Sequence, residues 1–186
     1  NSLGTNAVAG SAVALNYEYF TYFVVAAFNQ ATVTFTSQNY GAKQYGRCKK
    51  IFWLCMAASV LATGAMSLVF VVGRGFFASF FTPDPAVAAF AKTRMLHTLS
   101  LSFICASYEI GGAALRGVGY SMMPALITIF GTCVVRIWWI YTVFARVGSF
   151  EILMDVYPLT WFLTGCAVLA AYFILRRRAY SGKVRL

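Results

Sequence analysis

The chain has 186 residues, of which 60% are hydrophobic and only 11% charged, with a mean hydropathy of +0.71. A soluble domain carries about 25% charged residues, so a soluble enzyme, a secreted disulfide scaffold and a disordered tail are excluded in favour of an integral membrane protein. Fifteen Lys and Arg against five Asp and Glu give a net charge of +10, but the basic residues cap apolar runs instead of covering a polar face, which fits membrane orientation and not nucleic-acid binding.

The apolar runs fall at 8–36, 51–72, 95–115, 123–145 and 159–175. Each is longer than the roughly 10–14 residues of a buried core helix. Backbone polar groups in lipid must be satisfied internally, and the runs are continuous and do not alternate, so helices are predicted. The expected fold is all-α, five transmembrane helices in a single domain over 1–186, ending in a basic tail at 176–186. The breaks are legible: Asn39-Tyr40-Gly41 follows the first run, Pro83-Asp84-Pro85 precedes the third, and Pro124 opens the fourth.

Charge orients the spans. Lys43, Arg47, Lys49, Lys50, Arg116, Arg176, Arg177, Arg178, Lys183 and Arg185 fall on one side with no acidic residue. The other side has Arg74, Lys92, Arg94 and Arg146 with Asp84, Glu151 and Asp155. The positive-inside rule then places the C-terminus in the cytoplasm and Asn1 outside, in a plasma membrane such as the bacterial inner membrane. Trp138, Trp139 and Tyr141 fall near the outer end of the fourth run, at the level of an aromatic belt. An odd number of spans beginning outside without a cleavable signal is expected of a chain that lacks its beginning.

Cys48, Cys55, Cys105, Cys133 and Cys166 show no CxxC spacing and read as small apolar packing residues, neither a disulfide framework nor a metal site. HExxH, GxSxG and P-loop signatures are lacking. No enzyme activity and no cofactor are expected.

Three ionisable residues lie inside the runs: Glu18, Glu109 and Arg136. Each costs about 2.5–3.5 kcal/mol near the bilayer centre, so each is expected to face a cavity, a water path or a partner. At 100° per residue, Ser11, Glu18, Tyr22, Asn29 and Thr36 form one polar stripe along the first helix, with Gln30 to one side. Such a stripe serves either a solute pathway or hydrogen bonding between helices. Glu109 shares a face with Ser102 and Arg116. A carboxyl in that setting can bind and release a proton or trade it for a cation, as a coupled exchanger requires. Arg136, in the next and antiparallel span, is within plausible reach of Glu109; a permanent pair would be a static bridge. His97, the sole histidine, reads as an interfacial packing residue before a proton relay. Tyr22 and Tyr108, near the polar stripes, are placed to stack on an organic cation.

The stretch Thr34-Phe35-Thr36-Ser37-Gln38-Asn39-Tyr40-Gly41-Ala42-Lys43 resembles the end of the second helix of a repeat in the multidrug and toxic compound extrusion (MATE) transporters. Ala114-Leu115-Arg116-Gly117-Val118-Gly119-Tyr120, followed by Pro124, resembles the loop after the fourth helix, and Gly4-Thr5-Asn6-Ala7-Val8-Ala9 the lead into the second. The resemblance covers nearly the whole chain, and the basic tail points to the C-terminal repeat without its first helix. It implies five of the six helices of one lobe of a two-lobe antiporter that exports organic cations and drugs in exchange for protons or sodium by alternating access. The partners it implies are a small-molecule drug, membrane lipids and a missing N-terminal lobe. Glu109 and Glu18 would be cation-coupling carboxylates, and Tyr22, Asn29, Gln30, Tyr108 and Arg136 would line the cavity. Two alternatives stay open: a lipid-linked oligosaccharide flippase of related architecture, which needs several basic residues in its cavity, and a homo-oligomeric channel or assembly subunit.

Overall fold

A computed structural model describes residues 3–181. The basic tail beyond Ser181, with Lys183 and Arg185, lies outside the described residues. The described chain is helical, with no strand among its residues. Its long elements are α1 (Thr5–Gly41), α2 (Tyr45–Val72), α4 (Pro85–Gly117), α5 (Met122–Val147) and α6 (Phe150–Tyr180). A short helix, α3 (Arg74–Ser79), follows α2.

Four of these, α2, α4, α5 and α6, are long and apolar enough to cross a membrane. The first, α1, is the longest at 37 residues but falls short in hydropathy, because its polar stripe interrupts the apolar sequence. Charged residues also explain where helices outrun the apolar runs. The third helix begins at Pro85, not at 95, and the last at Phe150, not at 159. Asp84 caps α4 by accepting a hydrogen bond from the Ala86 amide at 2.8 Å, with Pro85 in the first turn where its missing N–H costs nothing. The last helix continues through Pro158.

Packing follows membrane logic. Helix α2 buries Ser59, Thr63 and Ser67 and turns Leu54, Leu61 and Leu68 outward. Lipid tails are as apolar as leucine, so small and polar residues mediate helix contact. Ser67 and Ser102 link α2 to α4 through their hydroxyls at 2.5 Å. The largest core cluster stacks Phe52 on Tyr172 at 4.1 Å between centroids, around Ala106, Ile110 and Ala114. Trp139 donates from Nε1 to the Ile152 carbonyl at 3.0 Å, tying α5 to α6, while Trp138 and Tyr141 remain exposed. Among the cysteines, Cys48 and Cys105 are buried, Cys55 half-buried, and Cys133 and Cys166 exposed.

Helices α1 and α4 run parallel and touch closely near both ends. A Cβ on Gly10 would lie 2.6 Å from the Phe90 Cβ and 2.9 Å from the Ala91 nitrogen. One on Gly117 would lie 2.7 Å from the Thr36 Cβ and 3.2 Å from the Val33 carbonyl. Between these contacts α4 is broken by two turn residues and a 3₁₀ turn at Ser102–Ile104. Gly117→Ala is therefore expected to destabilise the fold by about 1–3 kcal/mol through overpacking. Gly46→Ala, which meets open space, should be neutral or stabilising by up to about 1 kcal/mol. Thermal unfolding of both variants in detergent measures the difference.

Candidate functional site

The polar stripe on α1 faces α4, and each of its carboxylate-bearing neighbourhoods has a defined partner set. Arg94 on α4 grips Glu18 with both arms of its guanidinium, donating from Nε to Oε1 at 2.7 Å and from Nη2 to Oε2 at 3.0 Å. The Thr98 hydroxyl, one turn along, is 2.9 Å from Glu18 Oε1 and 2.8 Å from the Arg94 carbonyl, so its single proton serves one of them at a time. Arg94 is only 5% exposed. A bidentate, charge-assisted pair of this kind is among the stronger interactions available in low dielectric.

The second carboxylate is held differently. Asn29 Nδ2 donates to the Glu109 carboxylate and also to the Glu109 backbone carbonyl at 3.2 Å. Arg116 donates from Nη2 to Asn29 Oδ1 at 3.0 Å. Arg116 thus reaches Glu109 only through a neutral amide. Glu18 is locked to a cation; Glu109 is held by an amide that orients it.

The pairing of Glu109 with Arg136 expected from the sequence is not formed. Arg136 donates from Nε to Thr160 Oγ1 at 3.2 Å and stacks 4.3 Å over the Tyr157 ring. Its helix packs on α6, so the guanidinium meets α6 instead of α4. The same tyrosine receives Arg94 at 5.2 Å, so Tyr157 stands between two guanidinium groups.

A cleft of about 250 Å³ opens between the two glycine contacts. Glu18, Tyr22, Thr98, Ser102, Tyr108 and Trp161 contribute to its walls. Asn29 lies beyond it on the Glu109 network, and Gln30 is exposed and does not line this cleft, as its position off the stripe explains. Ser11 and Arg94 line a neighbouring cleft of about 570 Å³ with Tyr157. His97 pairs with Asp155 at 2.6 Å near the surface, joining α4 to α6.

Arg94 and Thr98 are the site residues that the apolar runs did not reveal. Arg94 immediately precedes the third run, so the apolar count places it on the polar exterior. The Asp84-Pro85 cap was the available signal, because a helix starting there carries Arg94 into its tenth position. No group of three or more metal-ligating side chains occurs among the described residues.

Comparison with known proteins gives one family. The family model described as MatE matches residues 1–142. A probable multidrug resistance protein NorM of Mannheimia succiniciproducens is 28% identical over 128 residues, covering 69% of this chain and 28% of the relative. Another NorM, of Aromatoleum aromaticum, is 28% identical over 125 residues, 67% of this chain and 27% of its own length. The multidrug resistance protein PmpM of Pseudomonas aeruginosa is 25% identical over 128 residues, with 69% and 27% covered. The matches thus span little more than a quarter of these relatives.

Removing either member of the Glu18–Arg94 pair leaves a buried charge uncompensated. Glu18→Leu or Arg94→Met alone should cost about 3–5 kcal/mol, while the double variant should lie close to the parent. Thermal unfolding of the three variants reads this directly, and additive losses would show that the pair does not exist.

Proposed function

The chain belongs to the MatE family, and from that premise we propose that it forms part of a secondary multidrug antiporter exporting organic cations or drugs in exchange for protons or sodium by alternating access. The observation that carries this reading is the cleft at the break in α4, lined by Glu18, Tyr22 and Tyr108. Interrupted helices whose irregular backbone lines a cavity are how membrane transporters build solute sites. Aromatic walls beside a carboxylate suit a cationic, partly apolar solute through cation–π and charge attraction.

In this reading Glu109 exchanges the coupling ion. Its carboxylate is bonded by the Asn29 amide and not directly by a guanidinium, so uptake of a proton or sodium does not have to break an ion pair. Glu18 supports the cleft wall from within its pair with Arg94. Arg136 supports α6 through Thr160 and Tyr157 and is not the counter-ion of Glu109. A second lobe would complete the cavity, with the basic end of the helices in the cytoplasm of a bacterial cell. The flippase alternative gains a buried guanidinium in Arg94 beside the half-buried Arg136, but Glu18 neutralises Arg94, leaving too little positive charge for a pyrophosphate.

The test is ion-driven efflux of a cationic dye by the complete protein in inverted vesicles. Glu109→Gln is expected to abolish coupled efflux while dye binding persists. Asn29→Ala, which releases the carboxyl, should weaken coupling without abolishing it. Wild-type coupled efflux in Glu109→Gln would overturn the assignment.

A further inference from the structure

The positive-inside rule accounts for a basic end of the bundle, but not for where on α2 its cations stand. Arg47, Lys49 and Lys50 occupy the first two turns of α2, which has no acidic residue in its first turn. Cations at a helix N-terminus oppose the helix dipole and are mildly unfavourable. Helix stability therefore does not favour them at this position, whereas an anion bound there would.

Their positions say which anion. Leu54 is seven residues from Arg47 and four from Lys50, and Leu61, Leu68 and Val72 continue the same line within about 60° of arc on a helix of 100° per residue. These four are the outward face of α2, at 70%, 72%, 63% and 75% exposure. From Leu54 to Val72 the helix rises about 27 Å, close to the hydrocarbon thickness of about 30 Å. When this face fills the hydrocarbon layer, Arg47 and Lys50 stand at headgroup level, directly over the same lipid-facing line. Both are exposed, and neither has a carboxylate partner among the described residues.

The neighbouring cations are differently engaged. Lys49 lies 5.9 Å over the Tyr180 ring, and Arg176 lies 4.4 Å over Phe173. Tyr180 stacks on Tyr45 at 5.2 Å, fixing the end of α6 against the start of α2. Trp53, half exposed and one turn inward from Lys49, sits where an indole prefers to be, between headgroups and tails.

We infer that Arg47 and Lys50 form a binding site for the headgroup of an anionic phospholipid, whose acyl chain lies along Leu54, Leu61 and Leu68. The phosphate takes the two cations and the tail takes the apolar line that continues from them; a soluble phosphate would use only the first.

The test is lipid retention by the intact protein in detergent, titrated with phosphatidylglycerol and with phosphatidylcholine and read by native mass spectrometry. R47Q/K50Q should weaken phosphatidylglycerol binding about thirtyfold, given the worth of each basic residue near an anionic headgroup, and leave phosphatidylcholine nearly unchanged. R177Q/R178Q removes the same charge from the same end, where both arginines are exposed on α6, and should change it less than about threefold. R47K/K50R, which keeps the charge, should restore binding. Equal losses in the two charge-removing pairs would reduce the effect to diffuse surface potential and overturn the site. Undiminished phosphatidylglycerol binding in R47Q/K50Q, with helicity intact by circular dichroism, would overturn it as well.

Discussion

The parallel seam between α1 and α4 is the constraint on which the rest depends. Gly10 meets Ala91, Glu18 meets Thr98, Asn29 meets Glu109 and Thr36 meets Gly117. The partners differ in number by 81, 80, 80 and 81, so one register holds along the whole seam despite the break in α4. Glycine at Gly10 and Gly117 lets the helices close to backbone contact near the ends. Between those points the broken segment opens the cleft. A slip of one turn along this seam would unpair Glu18 from Arg94 and Asn29 from Glu109 together.

The two carboxylates on this seam are held by different chemistry. An isolated charge in the bilayer interior is costly, and the Glu18–Arg94 pair removes that cost by mutual neutralisation and three polar contacts from two residues. Glu109 has the softer arrangement of an amide bridging it to Arg116. The first carboxylate is charge-paired, whereas the hydrogen-bond partner of the second is neutral. Around this polar seam the bundle is inside-out relative to a soluble protein. Its hydroxyl-bearing residues Ser59, Thr63 and Ser67 face inward, and its leucines face out. The same inversion produces the outward leucine line of α2.

How much of this was legible in the sequence follows from which physics acts locally. Long apolar runs declare helices because lipid permits little else. The stripe on α1 was legible because residues on one helix need only the 100° step to be aligned. Helix starts were less so: Arg94 and Asp155 interrupted the apolar count, and a run cannot reveal that a charge inside a helix is paired. The partner of Glu18 required the register between two helices, which no periodicity within either one encodes. Antiparallel neighbouring spans put Arg136 within reach of Glu109, but the sequence does not say which helix α5 packs on; it packs on α6, and Arg136 meets Thr160 and Tyr157. Family membership was legible from short elements near the ends of helices, where turn geometry restricts the residues.

The central claim, that one fixed register aligns α1 with α4, is tested most directly by cross-linking. In the intact protein with its native cysteines replaced, Thr36→Cys paired with Gly117→Cys puts the two Cβ positions 2.7 Å apart, closer than the roughly 3.5–4.5 Å of a disulfide, so a small parting of the helices accommodates the bond. Oxidation is predicted to link this pair rapidly, and to leave Thr36→Cys with Ala113→Cys and Thr32→Cys with Gly117→Cys, each one turn out of register, essentially unlinked. Preferential linking of either displaced pair would contradict the register, and with it the pairing of Glu18 with Arg94 and of Asn29 with Glu109.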